Sequence, residues 1–240
     1  MTGFKLKNLF TLLFIGISTL VFSQKSFDEA TLQWAVTKSN ATTDQGAQAV
    51  EMIKDLEVKW TFDENNLAGS MNMGSMMTTK YFLNKEEDYR KIYMVMMGQK
   101  YQANLDPEQF ERIAAGMQSF SDQSFELDPS DTKKILGYDC QAVVGKISQN
   151  GQHGDLKVYV TNDIEFKGSL SQFISTDIID KDGNTIKGFP LSVETIFPGF
   201  GYTLQIIELK NNIDREMLKE PKSSEYKTMN PSMLKQLTGQ

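Results

Sequence analysis

The sequence predicts a single exported α+β domain dominated by an antiparallel sheet. Three observations predict it. Apolar and polar residues alternate through long stretches of 31–105 and 134–210. Turn signals punctuate those stretches: Asp63–Asn66, Asn150–Gly151, Asp182–Gly183 and the PGFG run at 198–201. One segment, 106–120, combines a helical apolar stripe with helix-start residues.

Taken in order, the chain opens with Lys5 and Lys7, then the apolar run NLFTLLFIGISTLVF at 8–22. That length suits the core of a secretory signal peptide and falls short of the ~20 apolar residues of a membrane span. Cleavage is expected after Ser23, leaving Gln24 as the new terminus and a chain resident in the periplasm or secreted. No cysteine follows the run, which argues against a lipid anchor there.

Residues 31–37 read as a strand, with Leu32, Trp34 and Val36 on one face. Residues 44–56 read as a helix, with Ala47, Val50, Ile53 and Leu56 at a spacing of three and Asp44 as its cap. Strands follow at 58–62 (Val58, Trp60 and Phe62 inward, Lys59 and Thr61 outward), 67–74, 78–84 and 90–105. In 67–74 the alternation sets Leu67, Gly69, Met71 and Met73 against Ala68, Ser70 and Asn72. This is a meander with one wet face. At 106–120, Asp106, Pro107 and Gln109 form a helix start with a capping-box partner. Phe110, Ile113, Ala114 and Met117 make its apolar stripe. Strands resume at 134–148 and 156–163 around Asn150–Gly151, a type I′ hairpin signal. A short helix or loop is expected at 171–179, and a last hairpin joins 189–197 to 202–210. Short helical segments are expected at 214–219 and 233–237. The domain thus spans 24–212, with 213–240 as a C-terminal tail.

Charge excludes some partners. The full sequence carries a net charge of −6, and loss of Lys5 and Lys7 leaves 23 basic against 31 acidic residues, a net −8. No basic excess is available for nucleic acid or for anionic membrane surfaces. Cys140 is the sole cysteine, so no intramolecular disulfide can form and the apolar core must hold the fold.

The unusual feature is methionine. Four fall in 71–77 and three in 94–97. Met71/Met73 and Met94/Met96 have the Met-x-Met spacing that places both thioethers on one face of a strand. Two adjacent strands would then gather four sulfurs, a soft set suited to Cu(I). Histidines commonly join such sites, however, and the sole histidine, His153, lies at a hairpin tip. The plainest reading is core packing. Ranked second is an adaptable apolar surface for an acyl chain or hydrophobic peptide. Copper ranks third.

Catalytic signatures are missing. His153 stands roughly 25 Å along the hairpin from Cys140, too far for a nucleophile–base pair. No zinc-protease, phosphate-loop or serine-elbow motif occurs. Asp177, Asp180, Asp182 and Asn184 do not have calcium-loop spacing, and turn chemistry explains them.

Two stretches carry a resemblance. KKILGYDCQAVVG at 133–145 resembles the K-x-I-x-G-Y-x-C signature of an exported family, domain-of-unknown-function family 4412, through Lys133, Ile135, Gly137, Tyr138 and Cys140. KGFPLSVE at 187–194 resembles that family's G-x-P-L segment, shared with GLPGLI-type exported proteins. LKVYVTNDI at 156–164 resembles the strand between them. The resemblance implies a fold like that of the LolA/LolB lipoprotein carriers: a curved, unclosed antiparallel sheet, or half-barrel, with one or two helices on its concave side. It implies no activity, and it makes Cys140 a buried strand residue.

The function expected is non-catalytic binding or carriage of an apolar ligand, a lipid or lipoprotein acyl chain, by Trp34, Trp60, Met71, Met73, Met94 and Met96. The alternative is an envelope-associated interaction module with a filled core. No cofactor and no metal are called for.

Overall fold

The computed structural model describes residues 24–116, 125–149, 152–167, 178–180 and 182–238. The predicted leader, the 150–151 turn, most of 171–179 and Met117 lie outside them. Twelve strands form one sheet. Its middle runs in chain order, with short turns from β3 onward: β2 (Ala30–Ala41), β3 (Leu56–Phe62), β4 (Asn66–Met73), β5 (Met77–Asn84), β6 (Tyr89–Met96) and β7 (Gln99–Asn104). On the far side of β2 come β15 (Phe200–Lys210), β14 (Phe189–Phe197), β10 (Gln152–Thr161), β9 (Tyr138–Gln149) and β8 (Phe125–Ile135). A short β16 (Lys227–Thr228) lies parallel to β7 at the opposite edge. The other neighbours in this sheet are antiparallel. Two small pairs complete the strands: β1 (Lys25–Phe27) with β11 (Ile164–Phe166), and β12 (Ile178–Ile179) with β13 (Thr185–Ile186).

The edges β8 and β16 do not meet, so the sheet stays open. It is nonetheless curved. One core cluster takes Leu83, Ile92 and Ala103 from the β5–β7 end and Ile135, Cys140 and Ala142 from the β8–β9 end. Residues from both ends can share one interior only if the sheet bends around it. Aromatic rings join the inserted β1–β11 pair to this core. Phe166 contacts Phe27, Phe62 and Phe189 at centroid distances of 5.5, 5.7 and 4.6 Å.

Helices are few. α1 (Asp44–Ile53) ends before the predicted limit, because Leu56 already belongs to β3. Its cap is Thr43, not Asp44: the Thr43 hydroxyl accepts from the Gly46 N–H at 3.0 Å. α2 (Pro107–Gly116) starts with the predicted capping box. Asp106 Oδ1 accepts from the Gln109 N–H at 2.8 Å, and Gln109 Oε1 accepts from the Asp106 N–H at 3.2 Å. Its Phe110 is buried in the main core. α3 (Pro231–Thr238) is capped by Asn230, packs against α2, and sets Met233, Leu234 and Leu237 on the same core.

The expected wet face is only partly wet. Residues 212–226 cross it, from β2 towards β7. Thr31 donates to the Asn212 carbonyl at 2.8 Å, and the Asp214 N–H donates to Thr61 Oγ1 at 2.9 Å. Lys59 bonds the Asp214 carboxylate at 2.7 Å and holds it below the usual carboxylate range. Met217, Leu218 and Tyr226 then pack on Ala68, Phe82 and Tyr93. The hydroxyls of Tyr89 and Tyr93 both donate to Glu220, at 2.5 and 2.7 Å. This cover is why Thr61 and Ala68, expected outward, are buried. Residues 214–219 do this as successive turns rather than the expected short helix.

Candidate functional site

Directly opposed residues in an antiparallel pair share a face, so the register shows which side chains stand together. From β2 to β7 it is continuous, and it orders the inner face into four cross-strand rows. The innermost runs Ala30, Phe62, Leu67, Leu83, Arg90. The second runs Leu32, Trp60, Gly69, Tyr81, Ile92, Ala103. The next runs Trp34, Val58, Met71, Thr79, Met94, Tyr101. The outermost runs Leu56, Met73, Met77, Met96, Gln99. All six sequence-predicted residues therefore occupy one face, spread over three adjacent rows. Burial falls off along the same direction. Leu32 and Ile92 are sealed, whereas Met73, Met77 and Met96 are half-buried. Thr79 and Met94 are the exceptions in their row, each only 2% exposed.

Each tryptophan is locked by an aromatic neighbour. Trp60 stacks on Tyr81 with centroids 6.1 Å apart and planes inclined by 15°. Glycine at 69 makes this possible, since a Cβ there would come within 2.5 Å of the indole. Trp34 lies 6.0 Å from the Phe189 ring. Burial pushes the Tyr81 hydroxyl up to about 12, so it stays neutral.

The four-sulfur arrangement weighed last among the sequence readings, with Met71/Met73 directly beside Met94/Met96, does not match the register. β4 and β6 are not adjacent; β5 lies between them. Thr79 therefore separates Met71 from Met94, and Met77 joins Met73 to Met96. Met77 belongs to the 71–77 cluster, but the Met-x-Met spacing passes over it. Only the turn length between β4 and β5 could have signalled its place.

Two open grooves lie elsewhere. One of about 600 Å³ is lined by Glu126, Val144, Lys157, Glu194 and Ile196. The other, of about 630 Å³, adjoins it along Thr37, Asn40, Thr195 and Thr203. Of the residues lining the first, Lys146, Asp155, Lys157 and Glu194 are ion-paired. Asp131 accepts from Lys157 at 2.6 Å and from Tyr159 at 3.1 Å. The lysine bond holds that carboxyl below its usual range and raises Lys157 in turn. Lys133 bridges to Glu194 at 3.3 Å and sits 4.7 Å over the Tyr159 ring. These charges are already matched within the chain.

The K-x-I-x-G-Y-x-C stretch proves to be a hairpin device. β8 ends at Ile135 and β9 begins at Tyr138, so the loop is Leu136–Gly137, with φ of 50° and 89°. Positive φ at both positions is the two-residue turn that suits strand twist, and glycine takes it without strain. Ile135 and Cys140 flank it as core residues. The G-x-P-L stretch marks a register shift. Tyr159 opposes Ser192 while Val160 opposes Pro190, which leaves Leu191 as the extra, fully buried residue.

Cys140 is 1% exposed, and burial pushes its thiol up to about 11. It faces Lys133, while His153 faces Ser148 at the far end of the hairpin. Labelling of Cys140 by a thiol reagent at neutral pH is expected to be at least about 100-fold slower in the folded chain than in denaturant. Stopped-flow absorbance checks this, and comparable rates would show an accessible thiol. Among the described residues no group of three or more His, Cys, Asp or Glu is placed to hold a metal ion.

No curated protein matches the chain. Solved structures of similar shape share little sequence with it. The lipoprotein LppX of Mycobacterium tuberculosis is 9% identical, with 78% of this chain and 89% of that one covered and a TM-score of 0.39. LprF of Mycobacterium bovis is 8% identical, with 78% and 88% covered and a TM-score of 0.38. A LolA superfamily protein of Nitrosomonas europaea is 9% identical, with 81% and 91% covered and a TM-score of 0.23. Scores this low say nothing about a ligand. A family match covers residues 24–193 and so takes in both the Leu136–Gly137 hairpin and the Leu191 register shift; the chain belongs to the family described as Domain of unknown function (DUF4412).

Proposed function

We propose that this chain is an exported, non-catalytic binder of an apolar ligand, a lipid or lipoprotein acyl chain. The ligand lies along the inner face of β2–β6 against Trp34, Trp60, Met71, Met73, Met94 and Met96. The observation that carries this reading is the graded inner face. Three neighbouring rows are mainly apolar, and they pass from sealed to half-buried towards one margin of the sheet. Apolar surface left partly uncovered beside a formed core is where a ligand tail gains most from leaving water. Methionine suits such a surface, because its flexible thioether adapts to ligands of varied shape. The separation of Cys140 from His153 supports binding without covalent chemistry. Among the described residues no helix is long and apolar enough to cross a membrane.

A filled-core interaction module is the second reading. The burial of Met94, and of Phe110 from α2, in the same core favours it.

The sequence contains two tryptophans, and both lie in the site. A fatty acid brominated along its chain should therefore quench most of the native emission, saturating at one equivalent. The unbrominated acid should compete. No quenching up to the solubility limit would overturn the binding reading and leave the filled core. Native mass spectrometry of chain purified from its own envelope should show co-purifying lipid mass.

A further inference from the structure

Seven of the thirteen methionines fall within 71–97, and the fold concentrates them further. Met73, Met77 and Met96 are consecutive members of one row, each directly opposite the next on three neighbouring strands. Opposed residues on one face have Cβ atoms about 4.5–5.5 Å apart. Each side chain has three rotatable bonds to bring its sulfur inward. The row is half-buried, with Met77 and Met96 resting against the main core. Two more methionines stand on the adjoining hairpin tips. The Met76 N–H donates to the Met73 carbonyl, and the Met97 N–H to the Met76 carbonyl, each at 3.2 Å. The first closes the β4–β5 turn, and the second ties it to the β6–β7 turn beside the row. Met97 is 83% exposed and Met76 39%.

Apolar packing alone does not call for this residue type. Leucine would fill the same volume with a better-defined rotamer. Thioethers differ from leucine in one chemical respect that matters here: they are neutral, soft donors. Such donors select Cu(I) and its congener Ag(I) over Zn²⁺ or Cu²⁺, which prefer imidazole, thiolate or carboxylate. A monovalent soft ion is content with three sulfurs, so the remote position of His153 is no obstacle.

We propose that Met73, Met77 and Met96 form a three-sulfur site for Cu(I) at the margin of the inner face, with Met76 and Met97 at its mouth. The site is independent of the acyl-binding reading, although it shares Met73 and Met96 with that surface. Substitution by leucine separates the two, because leucine keeps the apolar area and volume while removing the donor.

The test is an anaerobic titration of the leader-free chain with Cu(I) held by a chromogenic chelator such as bicinchoninate. One equivalent should transfer to the wild-type protein. The combined variant Met73→Leu/Met77→Leu/Met96→Leu should bind at least about 100-fold more weakly, and Met77→Leu alone about 10-fold. Met217→Leu, on the opposite face, should match wild type. Brominated acyl quenching should persist in the triple variant, so failure of the metal site and failure of the lipid reading give different results. X-ray absorption on the copper-loaded wild type needs no variant and should show a sulfur-only shell. Failure to draw Cu(I) from the chelator, unchanged affinity in the triple variant, or a nitrogen- or oxygen-dominated shell would each overturn the proposal.

Discussion

Replacing Phe189 by alanine is expected to destabilise the fold by about 3–5 kcal/mol, the range for removing a sealed aromatic side chain. Phe189 is 1% exposed and touches rings from two different parts of the chain. Its ring lies 4.6 Å from Phe166, which in turn meets Phe27 and Phe62. On its other side it meets Trp34 at 6.0 Å. The substitution therefore opens a cavity where β14, the β1–β11 pair and β2 converge. Little can collapse into it, because the neighbours are rigid rings held on separate strands. In a chain of this size the melting temperature should fall by roughly 10 °C. Trp34 emission should also shift to longer wavelength as water reaches the indole. Urea unfolding followed at both tryptophan and far-ultraviolet signals measures each effect. A loss below about 1 kcal/mol would show that the ring is not part of a shared interior.

The second large effect is expected at Gly46, where two rules give opposite signs. Helix propensity alone says that alanine should stabilise α1 by about 1 kcal/mol over glycine. Packing says otherwise. A Cβ at 46 would lie 2.0 Å from the carbonyl oxygen of Gly199 and 2.7 Å from its carbon. Both are backbone atoms of the β14–β15 turn, and the same carbonyl accepts from the Thr42 N–H at 2.8 Å. No flexible side chain can yield, so helix or turn must move. The Thr43 cap bond to the Gly46 N–H would be disturbed as well. Gly46→Ala is therefore expected to lose about 2–3 kcal/mol net, within the range for overpacking. Thermal unfolding decides the sign, and a stabilised variant would mean that α1 does not rest on that turn.

Much of the sheet was legible because alternation and turn chemistry are local. The 189–197 and 202–210 strands, the Asn150–Gly151 ladder on either side of its turn, and the Asp106–Gln109 capping box all follow from residues a few positions apart. What escaped was long-range. Thr61 has the polarity of a solvent-facing residue, yet it is sealed by residues some 150 positions later. Nothing near Thr61 announces that cover. The same limit applied at the methionines. Spacing along one strand showed that Met71 and Met73 share a face, but which strand lies beside which is set by pairing. Pairing placed β5 in the middle and brought in Met77. The extra residue in β14 at Leu191 was equally hidden, because a bulge is a relation between strands.

The C-terminal segment has a consequence for biogenesis. Residues 212–226 lie over Ala68, Phe82 and Tyr93, and 227–228 then line the free edge of β7. Synthesis delivers the amino terminus first, so the strands from β2 to β7 emerge long before the chain that shields them. Until synthesis finishes, that nascent sheet presents an unpaired rim and a greasy back to its surroundings, the features that invite clumping. Truncation before residue 212 would leave both exposed for good.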